Sequence, residues 1–276
     1  MRELPVALDR GGRRVRLKWH RARRRPGDTP FGAANVAAGL AGGAEVEIDL
    51  LAHAGDGFAV LHDERLDDAT TGSGPVADAE AGALRACRLR DADGRPTELP
   101  VLLFSDLCRI VGEAGGAGRL QLDLKNGADV LSDARVAAFA AAARPAARRM
   151  ILSGGDAGAV RRLAGAVPGL AIGHDPCHFG ASERLRESLD FASFAAGALA
   201  EAPDAALFYL AKELVLLAAD HGFDLVAPFH AAGREVDAYT VAAADGAADM
   251  IVPRLLELRV DQITTDDAEG LAARFG

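Results

Sequence analysis

The stretch Glu45-Val46-Glu47-Ile48-Asp49-Leu50 alternates acidic and aliphatic residues. Because successive side chains of an extended strand point to opposite faces, a strand here carries three carboxylates on one face and three aliphatic groups on the other. The stretch Gln121-Leu122-Asp123-Leu124-Lys125 repeats this pattern, and residues 15–20 show it with basic residues in the polar positions. If the three strands share a sheet, their polar groups converge. Clustered carboxylates repel one another unless a cation lies among them, so the pattern indicates a metal site.

A simpler interpretation of the alternation is a strand with one face packed on a core and the other in water. The context along the chain favours the first interpretation, because strand-like segments alternate with Ala-rich helical segments. We predict strands at 14–20, 45–51, 119–125, 149–153, 169–174, 205–210, 235–241 and 260–264. We predict helices at 33–41, 102–113, 132–143, 156–166, 181–200, 245–258 and 267–274.

Repeated strand–helix units predict parallel strands joined by crossover helices. Eight such units in about 250 residues are typical of a closed (β/α)8 TIM barrel, which we predict as one domain over residues 1–276. A doubly wound open sheet is the alternative, although no glycine-rich dinucleotide fingerprint follows the first strand. Residues 55–100 are rich in turns and interrupt the alternation. We expect them to form a small insertion after the second strand, over the active-site end of the barrel.

The composition is typical of a soluble globular protein, with 50% hydrophobic residues and a net charge of −9. The acidic charge argues against nucleic acid or an anionic membrane as the main partner, and we interpret the Arg-rich residues 10–25 as a solvated rim near an anionic substrate. The sequence has neither an apolar run of about 18 residues nor a signal-peptide core, so a cytoplasmic location is expected. Cys87, Cys108 and Cys177 are widely spaced and are expected to be buried free thiols.

Several motifs occur in a characteristic order along the chain. They are His20-Arg21, Pro26-Gly27-Asp28-Thr29, Glu47-Ile48-Asp49, His62-Asp63, Thr70-Thr71-Gly72-Ser73-Gly74, Asp123-Leu124-Lys125, Tyr239-Thr240-Val241 and Val260-Asp261-Gln262-Ile263-Thr264-Thr265-Asp266. In order and spacing this pattern resembles the glycerophosphodiester phosphodiesterase family over roughly residues 15–275. The resemblance implies a (β/α)8 barrel with a metal-dependent phosphodiesterase site at the C-terminal ends of its strands.

The same resemblance implies a role for individual residues. His20 and His62 match the paired catalytic histidines of the family. Glu47 and Asp49 match two metal ligands, and Asp123 stands where the family usually has a metal-binding glutamate. Arg21 and Lys125 match basic residues near the phosphate.

This chain departs from the family pattern at several positions. It has Gly27-Asp28-Thr29 where the family commonly has Glu-Asn-Thr, Ala22 where a glycine follows His-Arg, and Tyr239 for a late tryptophan. An aspartate at 123 with a lysine two residues on is also found in related phospholipase-D-type toxins.

The residue types suit phosphodiester chemistry in their own right. Three carboxylates without a Cys/His set suit Mg²⁺ or Ca²⁺ rather than zinc, and a hard divalent cation neutralises charge on a phosphodiester. Histidine titrates near neutral pH, so His20 and His62 can serve as a general acid and a general base in either assignment. The remaining histidines are interpreted as structural or surface residues: His53, His174, His178, His221 and His230.

The expected activity is hydrolysis of a small-molecule glycerophosphodiester to glycerol 3-phosphate and an alcohol. One alternative is a phospholipase-D-like lyase that acts on a lipid headgroup, although no strong membrane-binding stripe is visible. A second is a non-catalytic barrel that binds a phosphorylated ligand or a partner protein. The sequence leaves the alcohol, the choice between Mg²⁺ and Ca²⁺ and the oligomeric state open.

Overall fold

The computed structural model describes residues 4–276; residues 1–3, part of the segment searched for a signal peptide, lie outside the described residues. The strands are Ala7–Arg10 (β1), Arg13–Trp19 (β2), Glu45–Ala52 (β3), Phe58–Val60 (β4), Arg88–Arg90 (β5), Pro96–Pro100 (β6), Arg119–Leu124 (β7), Met150–Gly154 (β8), Ala171–His174 (β9), Leu207–Ala211 (β10), Glu235–Val241 (β11) and Gln262–Thr265 (β12). The helices are Ala33–Gly42 (α1), Leu66–Ala69 (α2), Ala81–Ala86 (α3), Phe104–Glu113 (α4), Asp133–Ala143 (α5), Ala157–Gly165 (α6), Ala181–Ser188 (α7), Phe191–Glu201 (α8), Lys212–Asp220 (α9), Ala227–Ala231 (α10), Gly246–Glu257 (α11) and Ala268–Phe275 (α12).

Eight parallel strands close into a barrel. Their order is β2-β3-β7-β8-β9-β10-β11-β12, and β12 pairs with β2 to complete the ring. The predicted (β/α)8 fold is therefore confirmed, and each of its strands begins and ends within two residues of the predicted bounds. The open-sheet alternative is wrong, because a closed ring has no edge strands.

The helices differ from the prediction in two respects around the later strands: α9 and α10, which lie between β10 and β11, were not predicted, and one predicted helix is divided, with a clear local cause. The segment predicted as one helix at 181–200 is divided into α7 and α8. Leu189 adopts a left-handed backbone conformation with φ 54°, which interrupts the helical path. Asp190 then starts α8, because its side chain accepts a hydrogen bond from the Ser193 amide at 3.0 Å.

The alternating strands bury both of their faces. Val46, Ile48 and Leu50 are fully buried on the aliphatic face, where α1 packs. Gly39 allows that close packing, since a Cβ there would lie 2.7 Å from the Val46 Cγ2 atom. On the polar face Glu47 is only 4% exposed, because this face lines the barrel interior. The simpler interpretation, in which the polar face meets bulk water, is wrong.

Polar side chains fill the barrel interior below the C-terminal ends of its strands. The buried Lys18 ammonium lies 3.3 Å from the Asp237 Oδ2 atom and 4.1 Å from the centre of the Tyr209 ring. It also donates to Gln121, whose amide donates to the Ser153 hydroxyl at 2.8 Å. These polar groups stand in place of the aliphatic layers that usually fill such a barrel.

The segment after β3 starts at the active-site end of the barrel. β4 runs antiparallel to the last residues of β3, with Leu50 opposite Val60 and Ala52 opposite Phe58. The chain that leaves β4 therefore begins beside the C-terminal ends of the parallel strands.

Among the described helices, none has the length and apolar character needed to cross a membrane. The three cysteines form no disulfide; Cys87 and Cys108 are buried as expected, and Cys177 is only partly buried.

Candidate functional site

Three carboxylates meet at the C-terminal mouth of the barrel. Glu47 and Asp49 lie on β3, and Asp123 lies opposite Asp49 on the neighbouring β7. One oxygen from each carboxylate lies within 4.8 Å of the others. Glu47 and Asp49 are almost fully buried, and the Asp123 side chain is 13% exposed. The two stretches singled out in the sequence thus form one carboxylate cluster, defined as Glu47, Asp49 and Asp123.

Two basic residues contact this cluster. The Lys125 Nζ atom lies 2.9 Å from Asp49 Oδ1 and 2.6 Å from Asp123 Oδ2. The Arg21 backbone amide donates to Glu47 Oε2 at 2.7 Å, and its Nε atom lies 3.4 Å from Asp49 Oδ2. Arg21 has φ 52°, a left-handed conformation that is uncommon for residues other than glycine. This turn after β2 is what directs the amide toward the cluster.

The charges in the cluster are unevenly balanced. Burial and the Asp123 carboxylate raise the pKa of Glu47, and burial together with the Glu47 carboxylate raises the pKa of Asp49 to about 7. Burial also opposes ionisation of Asp123, but the Lys125 charge outweighs it and lowers the pKa of Asp123. Burial would lower the pKa of Lys125, yet the Asp123 and Asp49 carboxylates raise it above its ordinary range. The Glu47–Asp49 pair is therefore the part of the cluster that lacks compensating charge.

The donor set fits a hard divalent cation. The Asp49 Oδ2 atom is buried and has no hydrogen-bond partner among the described residues. Such an atom costs free energy unless something pairs with it. Three carboxylates without a thiolate are the ligands that Mg²⁺ and Ca²⁺ prefer. Glu47, Asp49 and Asp123 could therefore hold a metal ion.

Each of the two predicted catalytic histidines is held by a carboxylate. His20 Nδ1 lies 2.6 Å from Asp266 Oδ1, an oxygen that Arg23 also contacts. His62 Nδ1 lies 2.7 Å from Asp63 Oδ1. A carboxylate on Nδ1 fixes the ring and leaves Nε2 available for proton transfer.

Two adjoining cavities surround these groups. The inner pocket, about 300 Å³, is lined by Lys18, His20, Arg21, Glu47, Asp49, His62, Gln121, Asp123, Lys125, Asp175, His178, Tyr209, Tyr239, Thr240 and Thr264. The outer cleft, about 550 Å³, is lined by His62, Asp63, Glu64, Arg65, Asp68, Leu124, Lys125, Asn126, Gly155, Asp156, His178 and Phe179. His62, Lys125 and His178 line both, so they mark the passage between the two cavities.

The inner pocket gathers every residue that the sequence indicated as a candidate: His20, Arg21, Glu47, Asp49, His62, Asp123 and Lys125. Asp28, from the altered Gly27-Asp28-Thr29 motif, lines neither cavity. Its carboxylate accepts hydrogen bonds from the Arg24 amide and the Asn35 side chain, both at 3.0 Å. Asp28 therefore stabilises the loop in which it lies. Asp28 therefore does not replace the missing acidic residue of the motif.

Sequence reasoning missed part of the pocket wall. His178 was interpreted as structural or surface-exposed, yet it lines both cavities. Its Nε2 atom lies 3.1 Å from Asp175 Oδ2, and this hydrogen bond raises the pKa of His178. Asp175 directly follows β9, and catalytic side chains of such barrels follow the strands. That position is the signal that could have identified the pair.

Comparisons with known proteins bear on the fold. No protein-family model and no curated protein matches the sequence. Among solved structures, the chain is similar to a protein of Agrobacterium tumefaciens assigned as a glycerophosphoryl diester phosphodiesterase, with 22% identity over 94% of this chain and 97% of that chain and a TM-score of 0.68. A Silicibacter pomeroyi protein with the same assignment gives 21% identity, 99% and 96% coverage and a TM-score of 0.68.

A third similar structure contains a ligand. It is an Oleispira antarctica phosphodiesterase in complex with its product sn-glycerol-3-phosphate, with 17% identity, coverage of 94% of this chain and 95% of that chain and a TM-score of 0.65. At these identities, what the likeness establishes is that this chain shares the (β/α)8 barrel fold of these proteins over almost its whole length.

Proposed function

We propose that this protein belongs to the glycerophosphodiester phosphodiesterase family and hydrolyses glycerophosphodiesters to glycerol 3-phosphate and an alcohol. The observation that carries the proposal is one pocket in which a buried carboxylate cluster faces two carboxylate-held histidines. The family motifs in the sequence support it, as does the shared fold with proteins that bear this assignment. The product complex of the Oleispira antarctica protein supports a glycerol phosphate as the product.

In this proposal Glu47, Asp49 and Asp123 hold one Mg²⁺ or Ca²⁺ ion. The bound cation would supply charge neutralisation to the phosphate oxygens. Asp49 Oδ2 makes no hydrogen bond among the described residues and has the 3.4 Å ion pair with Arg21. This weak pairing and the raised pKa values of Glu47 and Asp49 support a cation at the cluster.

Arg21 and Lys125 bind the phosphate in this proposal. A guanidinium grips phosphate oxygens in a fork, and an ammonium acts as a compact charge. Both side chains line the inner pocket, and Lys125 also lines the outer cleft. A phosphate at the passage between the cavities would place the glycerol portion and the alcohol on opposite sides of it.

His20 and His62 exchange the protons. One imidazole takes the proton of the attacking hydroxyl, and the other donates a proton to the leaving alkoxide. The substrate's neighbouring glycerol hydroxyl is the first nucleophile, which gives a cyclic phosphate, and water then opens that ring with the histidine roles reversed. Either histidine can start as the base, since each has its Nδ1 atom held by a carboxylate.

The insertion at 55–100 is part of the same functional unit in this proposal, and residues 1–276 act as one domain. His62 and Asp63 belong to the insertion, and both line the outer cleft. A barrel without this segment would lack one of its two proposed catalytic histidines.

The test is a panel of glycerophosphodiesters with different alcohols, assayed after treatment with EDTA and after addition of Mg²⁺ or Ca²⁺. We expect release of glycerol 3-phosphate that EDTA abolishes and one of the two ions restores. Turnover that survives complete metal removal would contradict the metal role. Absence of turnover on every diester would instead favour a non-catalytic barrel that binds a phosphorylated ligand, the alternative that the altered Gly27-Asp28-Thr29 motif supports.

A phosphodiester lyase is the second candidate reaction. The aspartate at 123 with a lysine two residues on supports it, because this spacing also occurs in phospholipase-D-type toxins. The two reactions differ in their end product. A cyclic phosphate that accumulates and is not opened by water would identify the lyase, and accumulation of glycerol 3-phosphate would identify the hydrolase.

A further inference from the structure

The loop after β9 presents a third histidine to the site. Asp175 follows the last residue of β9, and His178 comes three residues later. The His178 side chain is 42% exposed and lines both the inner pocket and the outer cleft. In this it matches His62 and Lys125, which the proposed function places at the phosphate.

This loop is held by hydrogen bonds within itself and to the barrel. The Asp175 amide donates to the Gly154 carbonyl at the end of β8, at 3.2 Å. The Cys177 amide donates to Asp175 Oδ1 at 2.8 Å, and the Ser182 hydroxyl donates to the Cys177 carbonyl at 2.8 Å. A loop fixed in this way holds its side chains without a further ordering cost when a ligand binds.

The His178 ring itself is fixed from two sides. Its Nε2 atom lies 3.1 Å from Asp175 Oδ2, and the Asp175 side chain is only 9% exposed. On its other side the His178 side chain packs against Gly155. A Cβ atom at residue 155 would lie 2.7 Å from the His178 Cβ atom and 2.9 Å from its Cδ2 atom. Any larger residue at 155 would displace the ring. Loop folding does not require the remaining nitrogen, Nδ1, since the Asp175 carboxylate pairs with Nε2.

We propose that His178 binds the scissile phosphate at the passage between the inner pocket and the outer cleft, with Asp175 as its positioning residue. This inference rests on the proposed function and adds a phosphate ligand that the sequence motifs do not include. His178 is neither a proton-transfer group nor a metal ligand in this scheme. His20 and His62 exchange the protons, and the carboxylates hold the metal.

A contact of this kind predicts a particular kinetic change. Since the phosphate is bound in both the ground state and the transition state, loss of the contact raises KM and leaves kcat nearly constant. A hydrogen bond to a charged group changes affinity by about tenfold or more. We expect His178→Ala to raise KM, and the Kd for sn-glycerol 3-phosphate in the presence of Mg²⁺, by about tenfold.

Further variants separate binding from folding. Asp175→Asn keeps the acceptor for the Cys177 amide but loses the charge that orients the ring, so a smaller increase in KM is expected. His178→Gln retains a hydrogen-bonding group and should recover part of the affinity. His221→Ala is the matched control, because His221 is exposed at the end of α9 and lines neither cavity. The Kd of Mg²⁺ alone and the Tm should stay at wild-type values in all four variants.

The outcomes separate this inference from the proposed function. If wild-type enzyme is active and His178→Ala keeps the wild-type KM and the wild-type Kd for sn-glycerol 3-phosphate, the inference fails and the proposed function stands. If wild-type protein has no phosphodiesterase activity, the proposed function fails, and binding of sn-glycerol 3-phosphate decides the inference alone. Weaker binding by His178→Ala then supports it, and equal binding, or none by the wild type, overturns it. A loss of Tm in His178→Ala that His178→Gln does not share, with unchanged affinity in His178→Gln, also overturns it.

Discussion

The Lys125 ammonium lies 2.9 Å from the Asp49 carboxylate, yet the pKa of Asp49 is still raised to about 7. Lys125 also lies 2.6 Å from Asp123, so its single charge is shared between two carboxylates. At Asp49, burial and the adjacent Glu47 carboxylate raise the pKa by more than the shared Lys125 charge lowers it. The geometry therefore leaves a deficit of positive charge at one identifiable place, the Glu47–Asp49 pair.

Asp49→Asn should reduce metal affinity and turnover together. The substitution keeps the shape of the side chain and removes the charge of the least compensated carboxylate. We expect Mg²⁺ or Ca²⁺ affinity, measured by calorimetry, to fall by about 100-fold or more, because changes even to residues that only support the ligands cost about 10–100-fold. Asp28→Asn is the matched control, because Asp28 lines neither cavity and its remaining oxygen can still accept backbone hydrogen bonds. An unchanged metal Kd in Asp49→Asn would remove Asp49 from the ligand set.

Metal binding should strengthen as pH rises through about 7. The Asp49 carboxyl has a pKa of about 7 in the folded chain without a cation, against an ordinary value of 3.8, so below pH 7 a metal ion must displace its proton. We expect the Kd of Mg²⁺ to decrease between about pH 6 and pH 8 and proton release on binding to be detectable by calorimetry in two buffers. Asp49→Asn should show a weaker pH dependence.

The same pKa shift predicts a stability change in EDTA. Between the ordinary pKa and the raised pKa the folded chain binds more protons at Asp49 than the unfolded chain does, so the stability of the folded chain falls as pH rises from about 4 to about 7. Other groups titrate in this range, and the comparison is therefore the difference in Tm between wild type and Asp49→Asn at each pH. A difference that does not change with pH would contradict the raised pKa.

His20→Ala and His62→Ala should each remove nearly all turnover. A general acid or base contributes on the order of 10²–10⁴-fold, and each of these rings is held at Nδ1 by a carboxylate. The rate of glycerol 3-phosphate release at saturating substrate is the measurement, and circular dichroism checks the fold. Wild-type rates in both variants would refute the assignment of the acid–base pair. A loss confined to one variant would assign proton transfer to that histidine alone.

The sequence predicts the barrel and its inner pocket well because the period-two alternation reports burial of the aliphatic face directly. Glu47, Asp49 and Asp123 converge because β3 and β7 are neighbours and Asp49 lies opposite Asp123, as the alternation predicted for strands that share a sheet. Whether the polar face lines the barrel interior or meets solvent was harder to predict, because both kinds of strand show the same alternation of polar and apolar residues. His178 was missed for a similar reason. A single histidine beyond a strand end belongs to no repeating pattern in the sequence. The position of its ring is set by contacts with Gly155 and Asp175, which the sequence alone does not reveal.

Lys18→Met should be strongly destabilising, since Lys18 is the cation that pairs with the fully buried Asp237. Among the side chains of residues 4–276, the variant leaves the Asp237 carboxylate with the Thr264 hydroxyl, which donates to its Oδ1 atom at 2.6 Å. Removal of one partner from a buried ion pair costs about 3–5 kcal/mol, measurable as a decrease in the free energy of unfolding in urea.

The control for Lys18→Met is Lys212→Met. Lys212 contacts the Glu213 side chain, which is 55% exposed, so water screens this pair and it contributes less than the buried Lys18–Asp237 pair does. The double variant Lys18→Met/Asp237→Asn should recover part of the lost stability, because the unpaired charge is removed with its partner. Equal unfolding free energies for Lys18→Met and Lys212→Met would show that the polar barrel interior does not depend on its buried lysine.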